Sequence, residues 1–411
     1  MLFKNAILCD YQGVKEADLR TQNGLISHIG SLSPMENEKV LDMQGKILFP
    51  AMIDVNIAPK ALSLSSKALI SLAQKALKGG VGTILLNPYT NPPCSENGSI
   101  ELIKSLNSKS PIHLLPAINP LTPNDKLSDI SSLHQSGGKA IFAKSDYNAH
   151  TFMRIAQYAQ MLHIPLVCFP QDSSLAYGVM NEGLLSAELG LPSIPTYSQT
   201  KEIPKIAEML KDMPLKLIFH SLVYPRSFEL LESYKNKGYA CEFFTQSSIH
   251  HLLLDESLCQ NYNTAAKLNP PLVDSISQKA LLEKLKNGEI DLLGSLQSAD
   301  YNSKKDQVFE LASFGIDALE SYLSLLYTFL HKSHKIPLEI ISKLTSFTPS
   351  QILGLNKGAL QEGRIAELVL FNPHKTYICS DTFSPYYQQE LCGVVEAFLS
   401  NEILHDPNNK L

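Results

Sequence analysis

A parallel (β/α)8 TIM-like barrel, joined to a small β-sandwich domain formed by both chain ends, is the α/β fold that the 411-residue sequence predicts. Three observations lead there. Eight short apolar runs recur between about residue 51 and residue 295, with helix-like stretches between them. Each run has the length and unbroken apolarity of a strand buried on both faces, as parallel strands covered by helices are. The chain ends instead carry strand-like pieces broken by turn residues, and neither end is large enough to bury a core alone.

Residues 1–50 supply NAILCD, LISHIG, KVLDM and KILFP to the end domain. The barrel takes 51–350. Its strands are read at AMIDVNI (51–57), VGTILL (81–86), IHLLPA (112–117), KAIFA (139–143), IPLVCF (164–169), LKLIFH (215–220), YACEFF (239–244) and IDLLGS (290–295). After the first of these, KALSLSSKALISLAQKALKGG (60–80) spaces Leu62, Ala68, Leu69, Leu72 and Ala76 helically and ends in a Gly pair suited to a left-handed cap. SIELIKSLNSK, HTFMRIAQYAQMLH, KEIPKIAEMLKDM, RSFELLESYKNKG and SISQKALLEKLKNG read as the later crossovers. Eight strands so connected favour a closed barrel over an open doubly wound sheet. Helical runs at 315–331 and 336–353 lead out of it. Residues 351–411 then return to the end domain through ELVLFNP, TYICS and VVEAFLSNEILH, the last a hairpin around Ser400 and Asn401.

Composition narrows the function classes. With 44% hydrophobic and 18% charged residues the chain is an ordinary globular protein, and its formal net charge of −5 comes without a Lys/Arg-rich run. That excludes an electrostatic footprint for nucleic acid or anionic lipid. No apolar run approaches the roughly 18 residues that span a bilayer, and MLFKNAILCD is too short in apolar stretch for a signal peptide. The seven cysteines include no CxxC pair, several lie in apolar runs, and they are read as reduced core residues. A cytoplasmic location is expected.

Barrel enzymes place their chemistry at the carboxyl ends of strands. The ends available are Asn56 and Ala58, Asn87 and Tyr89, Lys144 to Asp146, Phe169 and Gln171, His220, Glu242, and Leu296 and Gln297. His220 is the one histidine in that set.

Six segments carry a family resemblance: LDMQGKILFPAMIDVN, GGVGTILLNPYTNPP, SSLAYGVMNEGLLSAELGLPSIP (173–195), KLNPPL (267–272), NGEID (287–291) and LQEGRIAELVLFNP (360–373). Through them the chain resembles dihydroorotase and its relatives in the amidohydrolase superfamily, in the family's order and nearly end to end. The resemblance implies a site that holds one or two zinc ions, activates water for attack on a cyclic amide, and uses an Asp after the last strand for the proton. Position by position the side chains depart from it. The family's His-x-His falls on Asn56 and Ala58, and the Arg that receives the substrate carboxylate becomes Lys60. The fifth-strand His falls on Phe169, and the sixth-strand His is kept as His220. The catalytic Asp falls on Leu296 with its neighbour on Gln297. The substrate-binding Asn of Met-Pro-Asn-Thr falls on Tyr89, while Asn269 remains.

The chemical consequence stands without the family name. Zinc needs three or four converging N, S or O donors, and Ala, Phe and Leu offer none. Loss of the Asp carboxylate removes the proton acceptor. The replacements are expected to fill the former cavity. No cofactor is expected, zinc entering only if the chain is an active or altered hydrolase.

The other polar residues have bland readings beside the sharp ones. Lys144, near the position of a carboxylated Lys in some relatives, is expected to be solvated or salt-bridged. His250 and His251 follow an apparent insertion and are assigned structural roles, Asp54 a hydrogen-bonded strand role, and Asp172 the anchoring of the following loop. Asn269 and Lys60 could receive a small anion or amide. Resemblance to non-catalytic dihydroorotase-like subunits implies a structural partner of the aspartate carbamoyltransferase catalytic chain, in a homodimer or larger hetero-oligomer. An active or altered cyclic-amide hydrolase, and a metabolite-binding regulatory module, are the alternatives.

Overall fold

In the computed structural model, which describes residues 1–235 and 237–409, the eight apolar runs form eight parallel strands. They span Met52–Ile57, Val81–Leu86, His113–Pro116, Ile141–Lys144, Leu166–Phe169, Lys216–Phe219, Glu242–Ser248 and Leu292–Gly294. Helices Ser66–Lys78, Asn97–Leu106, Ile130–Ser136, Ala149–Leu162, Glu202–Leu210, Pro225–Lys235 and Ser275–Lys286 cross between them. The first of these starts at Ser66 and not at residue 60, leaving Leu62 outside it at φ 54°, because the Ser65 hydroxyl accepts the backbone N–H of Ala68 and so caps the helix there. Its buried Leu69, Leu72, Ala73, Ala76 and Leu77 lie at helical spacing and pack on the strands.

The strands pair in two arcs, the first three and the last five, joined by a single parallel bridge between Ile118 and Ile141. The seam between the eighth and first strands is closed by side chains and strand-end contacts. Ser295 N–H donates to Asp54 Oδ2 at 2.9 Å, Gln246 Nε2 donates to the Val55 carbonyl at 2.8 Å, and Ala58 N–H to the Gln297 carbonyl at 3.0 Å. Inside, Val55, Leu85, Phe142, Val167, Ile218 and Leu292 pack as a layer contributed by successive strands. This is a filled interior, as in other eight-stranded barrels. Ile352, on the short helix Thr348–Ile352, joins the same cluster, with Lys216 at the start of the sixth strand donating to the neighbouring Gln351 carbonyl, so that helix closes the amino end.

The end domain is a single eight-stranded ladder bent over its own core. The expected β domain of both chain ends is present, its strands joined in one hydrogen-bonded path around a core of their own. Ile47–Pro50 pairs antiparallel with Leu368–Ile378, the seam at which the two chain ends meet. The hairpin around Ser400 and Asn401 is present: Ser400 pairs with Ile403, and Asn401 and Glu402 both hold positive φ, as a two-residue hairpin turn of matching twist requires.

Two strands depart from the sequence reading. Gly13–Gln22 was not foreseen, because its outer half, GVKEA, has little apolar alternation. The seventh barrel strand lies at Glu242–Ser248, three residues beyond YACEFF, so Glu242 opens the strand instead of ending it. The polar Gln246, Ser247 and Ser248 belong inside because each has a buried acceptor or ring partner: Val55, Leu222 and His251.

A buried ion pair ties the tail to the barrel. Lys357 Nζ lies 2.8 and 2.9 Å from the two Glu367 oxygens and 2.7 Å from Thr83 Oγ1, and His113 Nε2 is 2.9 Å from Glu367 Oε1. Among the described residues no helix is long and apolar enough to cross a membrane.

Candidate functional site

The carboxyl ends of the strands surround a cavity of about 260 Å3. Asn56, Ala58, Tyr89, Phe169, His220, Asn269, Leu296 and Gln297 all line it, so the fold brings together eight positions scattered over more than 240 residues of sequence. The cavity was expected to be filled. It is open because Phe169 lies flat against the His220 ring, centroids 5.1 Å apart at 18°.

Lys60 is the exception among the candidates. It is exposed and sits over the Tyr301 ring, lining a neighbouring cleft with Lys67 and Lys75. Its ammonium therefore does not serve the central cavity.

One hydrogen-bond chain sets the chemistry of the site. Tyr89 N–H donates to Asn87 Oδ1 (2.8 Å), and Asn87 Nδ2 donates to Asn56 Oδ1 (2.7 Å). Asn56 is thereby oriented with Nδ2 toward His220 Nδ1, 3.1 Å away. An amide N–H can only donate, so Nδ1 is the acceptor and the ring proton sits on Nε2. Burial pushes the imidazole down to about 3, which keeps it neutral. Its one lone pair is thus already engaged, and the ring has none free for a metal.

The other polar groups are engaged in the same way. Asn269 and Gln171 exchange amide hydrogen bonds at 3.0 and 3.3 Å. Gln297 Oε1 accepts from Ala318 N and Leu319 N, while its Nε2 donates to Asp317. Tyr89 shares a hydroxyl contact of 3.2 Å with Tyr147, and the exposed Lys144 lies 5.2 Å from the Tyr89 ring centroid. Leu296 holds φ of 48°, a left-handed backbone that costs an L residue roughly 1 kcal/mol. The kink at the strand end carries an apolar side chain.

Zinc does not fit this donor set. Ala58, Phe169 and Leu296 carry no ligating atom, and among the described residues no group of three or more His, Cys, Asp or Glu could hold a metal ion. His250 and His251 do not repair it. Neither lines the cavity: His251 Nε2 donates to the Pro270 carbonyl and its Nδ1 meets Ser248 Oγ, while His250 Nδ1 meets the Tyr386 hydroxyl and its Nε2 is buried without a partner among the described residues.

Below the cavity, Asp54 is 1% exposed and its Oδ1 has no hydrogen-bond partner among the described residues. Burial drives its pKa up to about 7. Asp172 lies outside the cavity, where Lys201 and Ser174 hold its carboxyl down to about 2 and it fastens the following loop.

Lys267 was not singled out from the sequence. It is 1% exposed, and its Nζ donates to the carbonyls of Phe309, Glu310 and Ala312 at 2.6 to 3.0 Å, with the Phe314 ring 4.5 Å away. It organises the segment whose Phe314 and Gly315 line the cavity. A lysine set in the apolar context of AAKLNPPL was the available signal.

No model of a known protein family matches the chain. Over 401 residues it is 30% identical to the "Probable dihydroorotase-like protein" of Helicobacter pylori, covering 97% of this chain and 96% of the relative. It is 27% identical over 426 residues to the dihydroorotase of Caldanaerobacter subterraneus subsp. tengcongensis, covering 100% and 98%. Among solved structures, the L-hydantoinase (dihydropyrimidinase) of Arthrobacter aurescens superposes with a TM-score of 0.87 at 19% identity, over 100% of this chain and 97% of that one.

Proposed function

Because the chain belongs to the dihydroorotase family, with the barrel and end domain of a cyclic-amide hydrolase, we propose that it is a silent member of that family. Its role in this reading is structural: it serves pyrimidine biosynthesis as the assembly partner of the aspartate carbamoyltransferase catalytic chain, in the cytoplasm and without metal. One observation carries the reading. The positions that converge on the cavity bear Ala58, Phe169 and Leu296, and the single retained imidazole is committed through Asn56. A hydrolytic water there would have neither a Lewis acid nor a carboxylate base.

What the residues do instead is hold a barrel mouth in place. Gln297 bridges Asp317 and the Ala318–Leu319 backbone, and Asn56 links the first strand to the second and sixth. Such a site keeps the outer surface of the fold in register, and that surface is the functional part. The test is to purify the chain with and without the transferase. Co-migration, with transferase activity raised or stabilised in the complex, is the expected result; separate migration with unchanged activity would sink the proposal.

The persisting cavity favours a second reading, a metabolite-binding module. A ligand of the native state raises the melting temperature by mass action, so a thermal-shift screen with dihydroorotate, carbamoyl aspartate and nucleotides separates the two.

A further inference from the structure

The loop after the fifth strand and the segments that follow the seventh make a face that the cavity chemistry does not use. Three stretches, 173–195, 253–263 and 273–278, are tied together there. Tyr262 OH donates to the Leu189 carbonyl at 3.0 Å, Asn181 Nδ2 to Glu256 Oε2 at 3.2 Å, and Glu256 N–H to the Val273 carbonyl at 2.8 Å. Yet the same stretches display large apolar side chains to solvent: Tyr177 and Ile276 are each 79% exposed, Leu184 77% and Tyr262 50%.

The charge on these stretches is one-sided. They hold Glu182, Glu188, Asp255, Glu256 and Asp274 and no arginine or lysine. Elsewhere on the surface, carboxylates are commonly matched, as in Lys211–Glu208, Arg226–Glu229 and Lys286–Glu283. None of the acidic side chains named for this face has a Lys or Arg partner within ion-pair distance among the described residues. Exposed apolar side chains grouped on one face mark an interaction site, and beside them Glu182 and Glu188 present free negative charge, while Asp255 and Asp274 are taken up as helix N-caps.

We propose that this face is a protein-docking surface, and that its partner presents an apolar centre ringed by lysine and arginine side chains. The proposal rests on the assembly role above and gives that role a location: in that reading the occupant is the transferase chain. Exposed tyrosines on a hydrogen-bonded, preorganised scaffold suit the centre of such an interface, and the acidic rim would set approach and orientation.

The experiment uses the full chain and the transferase, with affinity measured by analytical ultracentrifugation at low and at moderate salt. Leu184→Arg, and separately the pair Glu182→Lys and Glu188→Lys, are compared with wild type and with Met161→Ala, an exposed change on helix Ala149–Leu162 away from this face. At least tenfold weaker binding for both face variants, weakening of the wild type with salt, and no effect of Met161→Ala are expected. If wild type binds and the face variants bind equally well, the location is wrong and the assembly role stands. If wild type does not bind at either salt, both fall. Circular dichroism of each variant confirms folding, which changes at exposed positions should leave intact.

Discussion

Replacing Asp54 by asparagine should make the protein less sensitive to alkali. Asp54 is 1% exposed, one oxygen accepts Ser295 N–H, the other has no partner, and burial lifts its pKa from 3.8 to about 7. The folded pKa is raised above the unfolded one, so the native state holds this proton more tightly than the unfolded chain does. Stability is then highest below pH 4 for this group and falls as pH rises from about 4 to about 7, levelling off above. Three pKa units at about 1.36 kcal/mol each set the full loss at about 4 kcal/mol. Asparagine keeps the acceptor for Ser295 and never ionises. The assay is the denaturant midpoint of variant and wild type at intervals from pH 5 to pH 8. The difference between them isolates this one titration. The variant should gain on wild type steadily up to pH 7, ending about 2 to 4 kcal/mol ahead. Parallel curves across that range would refute the burial of an ionisable Asp54 at the seam.

Breaking the buried Lys357–Glu367 pair with Lys357→Met should cost about 3 kcal/mol, because the buried carboxylate keeps only the partly exposed His113; a melting-temperature comparison checks it. The pKa of Glu367 is lowered despite burial, by His113 and Lys357, so its contribution should be lost only in acid, as pH falls below the ordinary carboxylate range. His220 should show no imidazole titration between pH 5 and pH 8 by NMR, with the proton on Nε2, since burial holds its pKa at about 3. Lys267→Met should leave the carbonyls of Phe309, Glu310 and Ala312 unsatisfied, costing roughly 1 to 3 kcal/mol and opening that segment to limited proteolysis.

Most of the barrel was legible because buried parallel strands announce themselves as unbroken apolar runs, as VGTILL does without shift at Val81–Leu86. The seventh strand slipped for the opposite reason. Its carboxyl half is Thr245, Gln246, Ser247 and Ser248, polar residues made tolerable by partners that only the closed barrel supplies. Strand positions located the cavity residues well, but side-chain direction is not written in spacing: Lys60 turned to Tyr301, and Phe169 stacked on His220 without closing the space. The tautomer of His220 needed the whole Tyr89, Asn87 and Asn56 chain, three residues from two strand ends. Lys267 was hidden because its partners lie more than 40 residues away.

The central claim is that the rebuilt donor set cannot support cyclic-amide hydrolysis. Its most direct test is dihydroorotate turnover by the purified chain, followed in both directions with and without added zinc, with bound metal counted in the same sample. The account predicts no rate above buffer under either condition and far less than one zinc per chain. Turnover that rises with stoichiometric zinc would contradict it.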